Sequence, residues 1–159
     1  MAHWGSENWK EVRDGVILNW FGGDRHALDF MLAISDITEL WDDLIDQDKE
    51  IDRKQIDTAF YAALVRMPCN PFYIKHREYL TPLIIAAINS WQDANVLEQG
   101  DRNERALAYT LRNIDIQLVQ AIVFITQGYD KMREVSPEIW KMFAAEQDDV
   151  LAWVTGETS

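Results

Sequence analysis

Apolar residues recur at three- and four-residue intervals along most of this chain and almost nowhere alternate. That spacing is the signature of helices that bury one side. Trp9, Val12, Val16, Ile17 and Trp20 form one such stripe, and Ser6 stands where an N-cap is wanted. A first helix is therefore predicted from Ser6 to about Phe21. Gly22 and Gly23 supply a left-handed stop, and Asp24 can cap the next helix, predicted from Arg25 to about Asp48. A third begins near Asp52, with Ile56, Phe60, Ala63, Leu64 and Met67 as its apolar face. "MPCNP" breaks it, and Asn70 before Pro71 opens another. Thr81–Pro82 marks a second start or a kink before the apolar run "LIIAAI". After Gly100 and Asp101 a long helix is predicted from Arg102 to Gln127, stopped by Gly128. Ser136–Pro137–Glu138 opens the last helical region, ending near Val154.

No β-hairpin signal is present: the one Asp-Gly dipeptide lies inside a helical pattern. The expected fold is all-α, a single-domain irregular bundle of six or seven helices over residues 1–159. Its most apolar helix lies near 102–127, and its ends, 1–5 and 156–159, are expected to be mobile. A chain of 159 residues, 48 % of them hydrophobic, can bury a core without staples.

Charge narrows the classes of partner. The net charge is −12, and no basic stripe interleaved with aromatics occurs. Phosphate backbones and anionic membranes are repelled, so no direct nucleic-acid or membrane partner is expected, and a charged partner should be basic. Cys69 is the only cysteine, which excludes an internal disulfide and a thiolate zinc site and fits the cytoplasm. Its apolar and turn-forming neighbours read as those of an inert thiol. The N-terminus lacks a signal-peptide layout, and "LIIAAI" is far shorter than a membrane span.

The second helix divides almost cleanly on a wheel. Phe30, Ala33, Ile34, Ile37, Leu40, Trp41, Leu44 and Ile45 fall on one side, with Asp29, Asp36, Glu39, Asp42, Asp43 and Asp46 on the other. The plain reading is a solvated face. Like charges three and four residues apart repel by about 0.2–0.5 kcal/mol per pair, and this face holds no cation of its own. A divalent ion, a basic partner or an Lys or Arg from a neighbouring helix could each offset that repulsion.

Asp42, Asp43 and Asp46 spell DDxxD, the aspartate-rich spacing with which class I isoprenoid synthases hold Mg²⁺. That family sets a second acidic motif across a deep cavity, and here only "NSWQD", Asn89 to Asp93, stands in its place. The chain also looks too short for that fold. "ELWD", Glu39 to Asp42, matches half of the paired acidic motif of all-helical nucleotide pyrophosphohydrolases, with no second half. Neither membership is claimed.

Asp115 is the more unusual carboxylate. Within the predicted long helix it lies among Leu111, Leu118, Val119 and Ile122, on the face that should be buried. Buried carboxylates must be protonated, hydrogen-bonded or paired, here with Arg112 or a neighbouring cation, or else they line a polar pocket. His26 reads as a half-buried satisfied histidine, His76 as surface, and His3 as part of the terminus. Glu-x-x-His pairs, HExxH, phosphate loops and GxSxG are absent. Trp4 and Trp153, near the ends, would favour a partner or a homo-oligomer contact if exposed.

Three functions remain open. The favoured one is an acidic intracellular binding protein, not an enzyme, that engages a basic protein surface through the acidic face of helix 25–48. One version is an inhibitor that mimics nucleic acid, because carboxylates a helical turn apart approximate phosphate spacing. In that reading no cofactor is expected. The second is an enzyme acting on phosphorylated or diphosphate substrates, with Mg or Mn held by Asp42, Asp43 and Asp46 and with Asp93 or Asp115 facing them. The third is a small-molecule sequestering protein with a pocket near Asp115.

Overall fold

A computed structural model describes residues 9–47, 50–113, 115–143, 151–152 and 154–155. Among the described residues there are seven α-helices and one π-helical segment, with no strand, so the protein is all-α. The expected mobile ends, Ser6, His3, Trp4 and the side chain of Trp153 lie outside the described residues. One domain is the expectation from length. The contacts of the chain cluster into two compact units, residues 1–77 and residues 78–159.

The first unit starts with α1, Trp9–Trp20, and α2, Arg25–Asp46. The turn between them forms as the sequence predicts. Gly22 and Gly23 take φ of 64° and 82°, and the Gly23 amide donates to the Leu18 carbonyl at 2.9 Å. This closure of the last turn favours glycine because a Cβ is disfavoured at positive φ. Asp24 then caps α2, its carboxylate accepting from the amides of His26 at 2.9 Å and Ala27 at 3.0 Å. α3, Arg53–Tyr61, opens with a capping box between Asp52 and Gln55. It runs into a π-helical segment, Ala62–Arg66, whose wide turn is closed by the Met67 amide on the Ala62 carbonyl at 2.9 Å. The core of this unit is Ile17, Trp20, Phe21, Ala27, Phe30, Met31, Ala33, Ile34, Leu40, Ala59, Ala62 and Phe72. Phe30 stacks on Tyr73 with ring centroids 5.4 Å apart.

α4, Pro71–Leu97, begins in the first unit and ends in the second. Pro71 occupies its first position, where no amide is needed, and Asn70 caps it by accepting from the Tyr73 amide at 3.0 Å. Pro82 lies inside this single helix, so Thr81–Pro82 does not start a new one.

The second unit corrects two further boundaries. The predicted helix 102–127 is two helices: α5, Arg102–Arg112, and α6, Asp115–Gln127. α5 is capped by a reciprocal box between Asp101 and Glu104. It ends at Asn113, whose side-chain amide turns back to the Tyr109 carbonyl at 2.9 Å and competes with helix continuation. The two halves also differ in burial. α5 buries Ala108, whereas α6 buries Ile116, Leu118, Val119, Ile122 and Val123. Gly128, at φ 86°, stops α6 as predicted. α7 then starts at once and runs from Tyr129 to Phe143 with Pro137 inside it, so the predicted start at Ser136–Pro137 is wrong. Ser136 is buried, and its hydroxyl accepts from the Gln120 side chain at 2.7 Å, tying α7 to α6 where Pro137 lacks an amide. Among the described residues no helix is long and apolar enough to cross a membrane.

Candidate functional site

The acidic helix does not present one uniform wet face. α2 spans 22 residues and packs on α1, on α3 and on the π segment. Neighbours on different sides make the buried arc swing round the helix along its length. At one end Ala27, Phe30, Met31 and Ile34 are buried; at the other, Leu40 and Asp43 are. Asp43 is only 8 % exposed, while Leu44 and Ile45 are 48 % and 52 % exposed. That reverses the expectation for all three. A single wheel assumes one packing direction over the whole helix, and α2 does not have one.

Asp29 and Asp36 are two turns apart, and a cation from elsewhere in the chain joins them. The Arg66 guanidinium donates to Asp36 at 2.6 Å through Nη1 and to Asp29 at 2.9 Å through Nη2. Asn70, itself buried, adds a longer bond of 3.4 Å to Asp29 and a 2.9 Å bond to the His26 carbonyl. Burial opposes the Arg66 charge, but the hydrogen bonds and fields of Asp29 and Asp36 outweigh it and hold the guanidinium pKa above its usual value. Of the three means of offsetting the like charges, a cation from a neighbouring segment serves this half of the face.

The bridge ties the π segment that follows α3 to α2. Ala59, Ala62 and Arg66 share the side turned to α2, where two small residues permit close approach and the arginine reaches the carboxylates. The face predicted to be buried points outward instead. Ile56 is 37 % exposed, Phe60 60 % and Leu64 71 %. Arg66 was not among the predicted site residues. Its signal was the Ala59–Ala62–Arg66 spacing, which the stronger pattern of Ile56, Phe60 and Leu64 masks.

Beyond Asp36 the face stays accessible. Glu39 is exposed and accepts from the Ser35 hydroxyl at 3.1 Å, Asp42 is half-buried, and Asp46 is exposed. Helix ends here carry the sign that the backbone dipole disfavours. The last turn of α2 holds Asp43 and Asp46 with no basic residue, and the first turn of α3 holds Arg53 and Lys54 with no acidic one. Such a placement costs about 0.3–1 kcal/mol at an exposed terminus, and at α3 the carboxylate of the Asp52 cap works against that cost.

For metal chemistry the geometry is informative. Among the described residues no group of three or more His, Cys, Asp or Glu side chains is gathered so as to hold an ion. Asp42, Asp43 and Asp46 point to different environments, one of them buried. Asn89 and Asp93, the candidate second motif, bond to each other at 2.9 Å on an exposed stretch of α4.

Asp115 occupies the first position of α6 instead of the middle of a long helix. Its side chain lies outside the described residues. Arg112, its suggested partner, donates to Glu98 at 2.6 Å and Asn95 at 2.9 Å and lies 5.9 Å from the centre of the Trp91 ring.

The histidines exchange their expected roles. His26 is exposed and contributes its backbone carbonyl. His76 is half-buried with its ring 4.8 Å from that of Phe72. Burial and Lys75 lower its pKa below the usual 6.5, with Asp24 acting weakly in the other direction. Cys69 is an exposed free thiol.

Two open clefts lie on the first unit. One, of about 540 Å³, is lined by Arg53, Lys54, Asp57, Thr58, Tyr61 and Arg66. The other, of about 320 Å³, is lined by Asp36, Glu39 and Leu40 of α2, by Lys10 of α1, and by Asp52, Lys54, Gln55 and Thr58, so two cations share it with three carboxylates. Comparison of the chain with known protein families, curated proteins and solved structures finds no match.

Proposed function

We propose that the protein is a non-enzymatic binding protein that engages a basic protein surface through the acidic face of α2. The observation that carries this reading is the mixed surface at the end of that helix. Ile45 stands 52 % exposed, one helical turn from the half-buried Asp42 and next in sequence to the exposed Asp46. Carboxylates steer a cationic partner and fix its register, and exposed aliphatic side chains supply the desolvation that holds it. Asp29 and Asp36, tied to Arg66, belong to the scaffold of the face. An inhibitor that occupies a nucleic-acid channel is one form of this function, since such channels are cationic.

The test is retention from a cell lysate on the immobilised chain at low and high ionic strength, repeated with the E39K/D46K double variant. Proteins lost on charge reversal should also be lost at high salt and should be predominantly basic. An identical retained set for both chains refutes the reading. Added DNA that displaces the same proteins would specify the mimic.

A further inference from the structure

We propose that two copies of this chain pair antiparallel along the outward face of α4. The acidic end of α2 takes no part, so the proposal goes beyond the reading above and its test is independent of the lysate result.

α4 is one continuous helix, and helical geometry alone fixes which of its residues share a side. Its buried residues Phe72, Leu80 and Ala94 fall on one side. On the opposite side Ile74, Ile85 and Val96 are 53 %, 62 % and 74 % exposed, and Ile88 is exposed beside them. A surface helix ordinarily keeps that side polar. Here large aliphatic side chains stand in water along about 33 Å of helix.

The order of residues along this stripe identifies what covers it. Ile85 is the midpoint, with Ile74 eleven residues before it and Val96 eleven after. Glu78 and Gln92, both exposed, stand seven residues to either side. The stripe therefore reads apolar, polar, apolar, polar, apolar from both ends. A two-fold axis through Ile85 sets such a stripe against its own reverse, as an isologous contact requires. Ile85 then meets Ile85, Ile74 covers Val96, and the Gln92 amide donates to the Glu78 carboxylate, the last two contacts occurring twice. Polar positions inside an apolar seam fix its register.

Charge selects the same orientation. Lys75 and Asp93 are eighteen residues apart, five full turns, so they lie on one flank of the stripe. Both are exposed, and Lys75 forms no ion pair with a described residue. Asp93 accepts from the Asn89 side chain at 2.9 Å through Oδ2, and a carboxylate has room for a second donor. When two helices pair antiparallel about a two-fold axis, each flank meets the same flank of its mate running the other way. Lys75 of each copy therefore reaches Asp93 of the other. A parallel pair would set Lys75 on Lys75 and Asp93 on Asp93, which like charges oppose. At 0.15 M salt the repulsion between two chains of net charge −12 is screened beyond about 8 Å, whereas contacts at ion-pair distance persist.

The experiment is sedimentation velocity on the full chain at 0.15 M salt over a concentration series. The wild-type mass should rise from 18.5 kDa towards twice that value. I85E should weaken association about tenfold or more, as loss of a central anchor does. K75E and D93K should each weaken it, and the K75E/D93K double variant should recover it, because both ion pairs re-form with their signs exchanged. All three positions are exposed, so helical circular dichroism should be retained. Oxidation of I85C in a C69S chain should give a disulfide-linked dimer, since only a residue on the two-fold axis lies beside its own copy. I74C in the same background should not. A wild-type chain that remains at 18.5 kDa overturns the proposal, as does a dimer unaffected by I85E. Failure of the exchanged pair to restore association also overturns it, and so does equal cross-linking through I74C, the signature of a parallel pair.

Discussion

Replacing Arg66 with methionine tests the structural logic of the acidic helix. The substitution keeps an unbranched side chain of similar reach and removes the charge that Asp29 and Asp36 share. Side-chain exposures of 26 % for Arg66, 49 % for Asp29 and 35 % for Asp36 place the bridge between a surface pair and a buried one. Surface pairs contribute about 0.2–1 kcal/mol, and buried charge-assisted bonds about 1.5–3. Discounted for solvent screening, two such bonds suggest a loss of about 2 kcal/mol, roughly a thirtyfold fall in the folded-to-unfolded ratio. R66K, which lacks the fork that spans two carboxylates, should lose about half as much.

Urea unfolding is the assay, applied to wild type, R66M, D29N/D36N and the triple variant. The triple variant should recover most of the R66M loss, because no charge is then left without its partner. A coupling energy of about 1.5 kcal/mol is expected. If R66M lies within about 0.5 kcal/mol of wild type, or the coupling is near zero, the bridge does not stabilise the fold and the reasoning from its geometry is refuted.

Other consequences are as direct. His76 has a lowered pKa in the folded chain, so its neutral form is the one the fold favours. Its contribution is fully present above the unfolded value of 6.5 and is lost as pH falls through the depressed folded value. Wild type should therefore destabilise more than H76Q as pH drops below 6.5 in parallel urea titrations. R112M, which removes the bonds to Glu98 and Asn95, should cost about 1–2 kcal/mol by the same assay. D101A removes both halves of the α5 capping box and should lower stability by about 1 kcal/mol. Mg²⁺, Mn²⁺ and Ca²⁺ at fixed ionic strength should leave the thermal melt unchanged, and a saturable rise abolished by D42N/D46N would reinstate a metal site.

Local chemistry was legible in the sequence wherever a few neighbouring residues decide the outcome. Asp24, Asp52 and Asp101 cap helices because their carboxylates reach amides two or three residues on. Gly22, Gly23 and Gly128 stop helices because their backbone needs positive φ. The all-α class follows from the recurrent helical spacing alone. Pro137 was over-read as a start, and Pro82, read as a start or a kink, starts none: each lacks the amide for one hydrogen bond, and neither ends its helix.

Tertiary structure alone decided which face of each helix is buried and which charges meet. Arg66 lies 37 and 30 residues from the carboxylates it joins, so no local pattern announces the bridge. α3 and the π segment turn Ala59 and Ala62 inward and leave Phe60 and Leu64 exposed, against their hydrophobicity. Asp43 is buried and Ile45 exposed for a related reason, since the buried side of α2 changes as its neighbours change. Periodicity in a sequence says that a helix has a side to bury, but the direction of burial belongs to the elements that arrive to cover it.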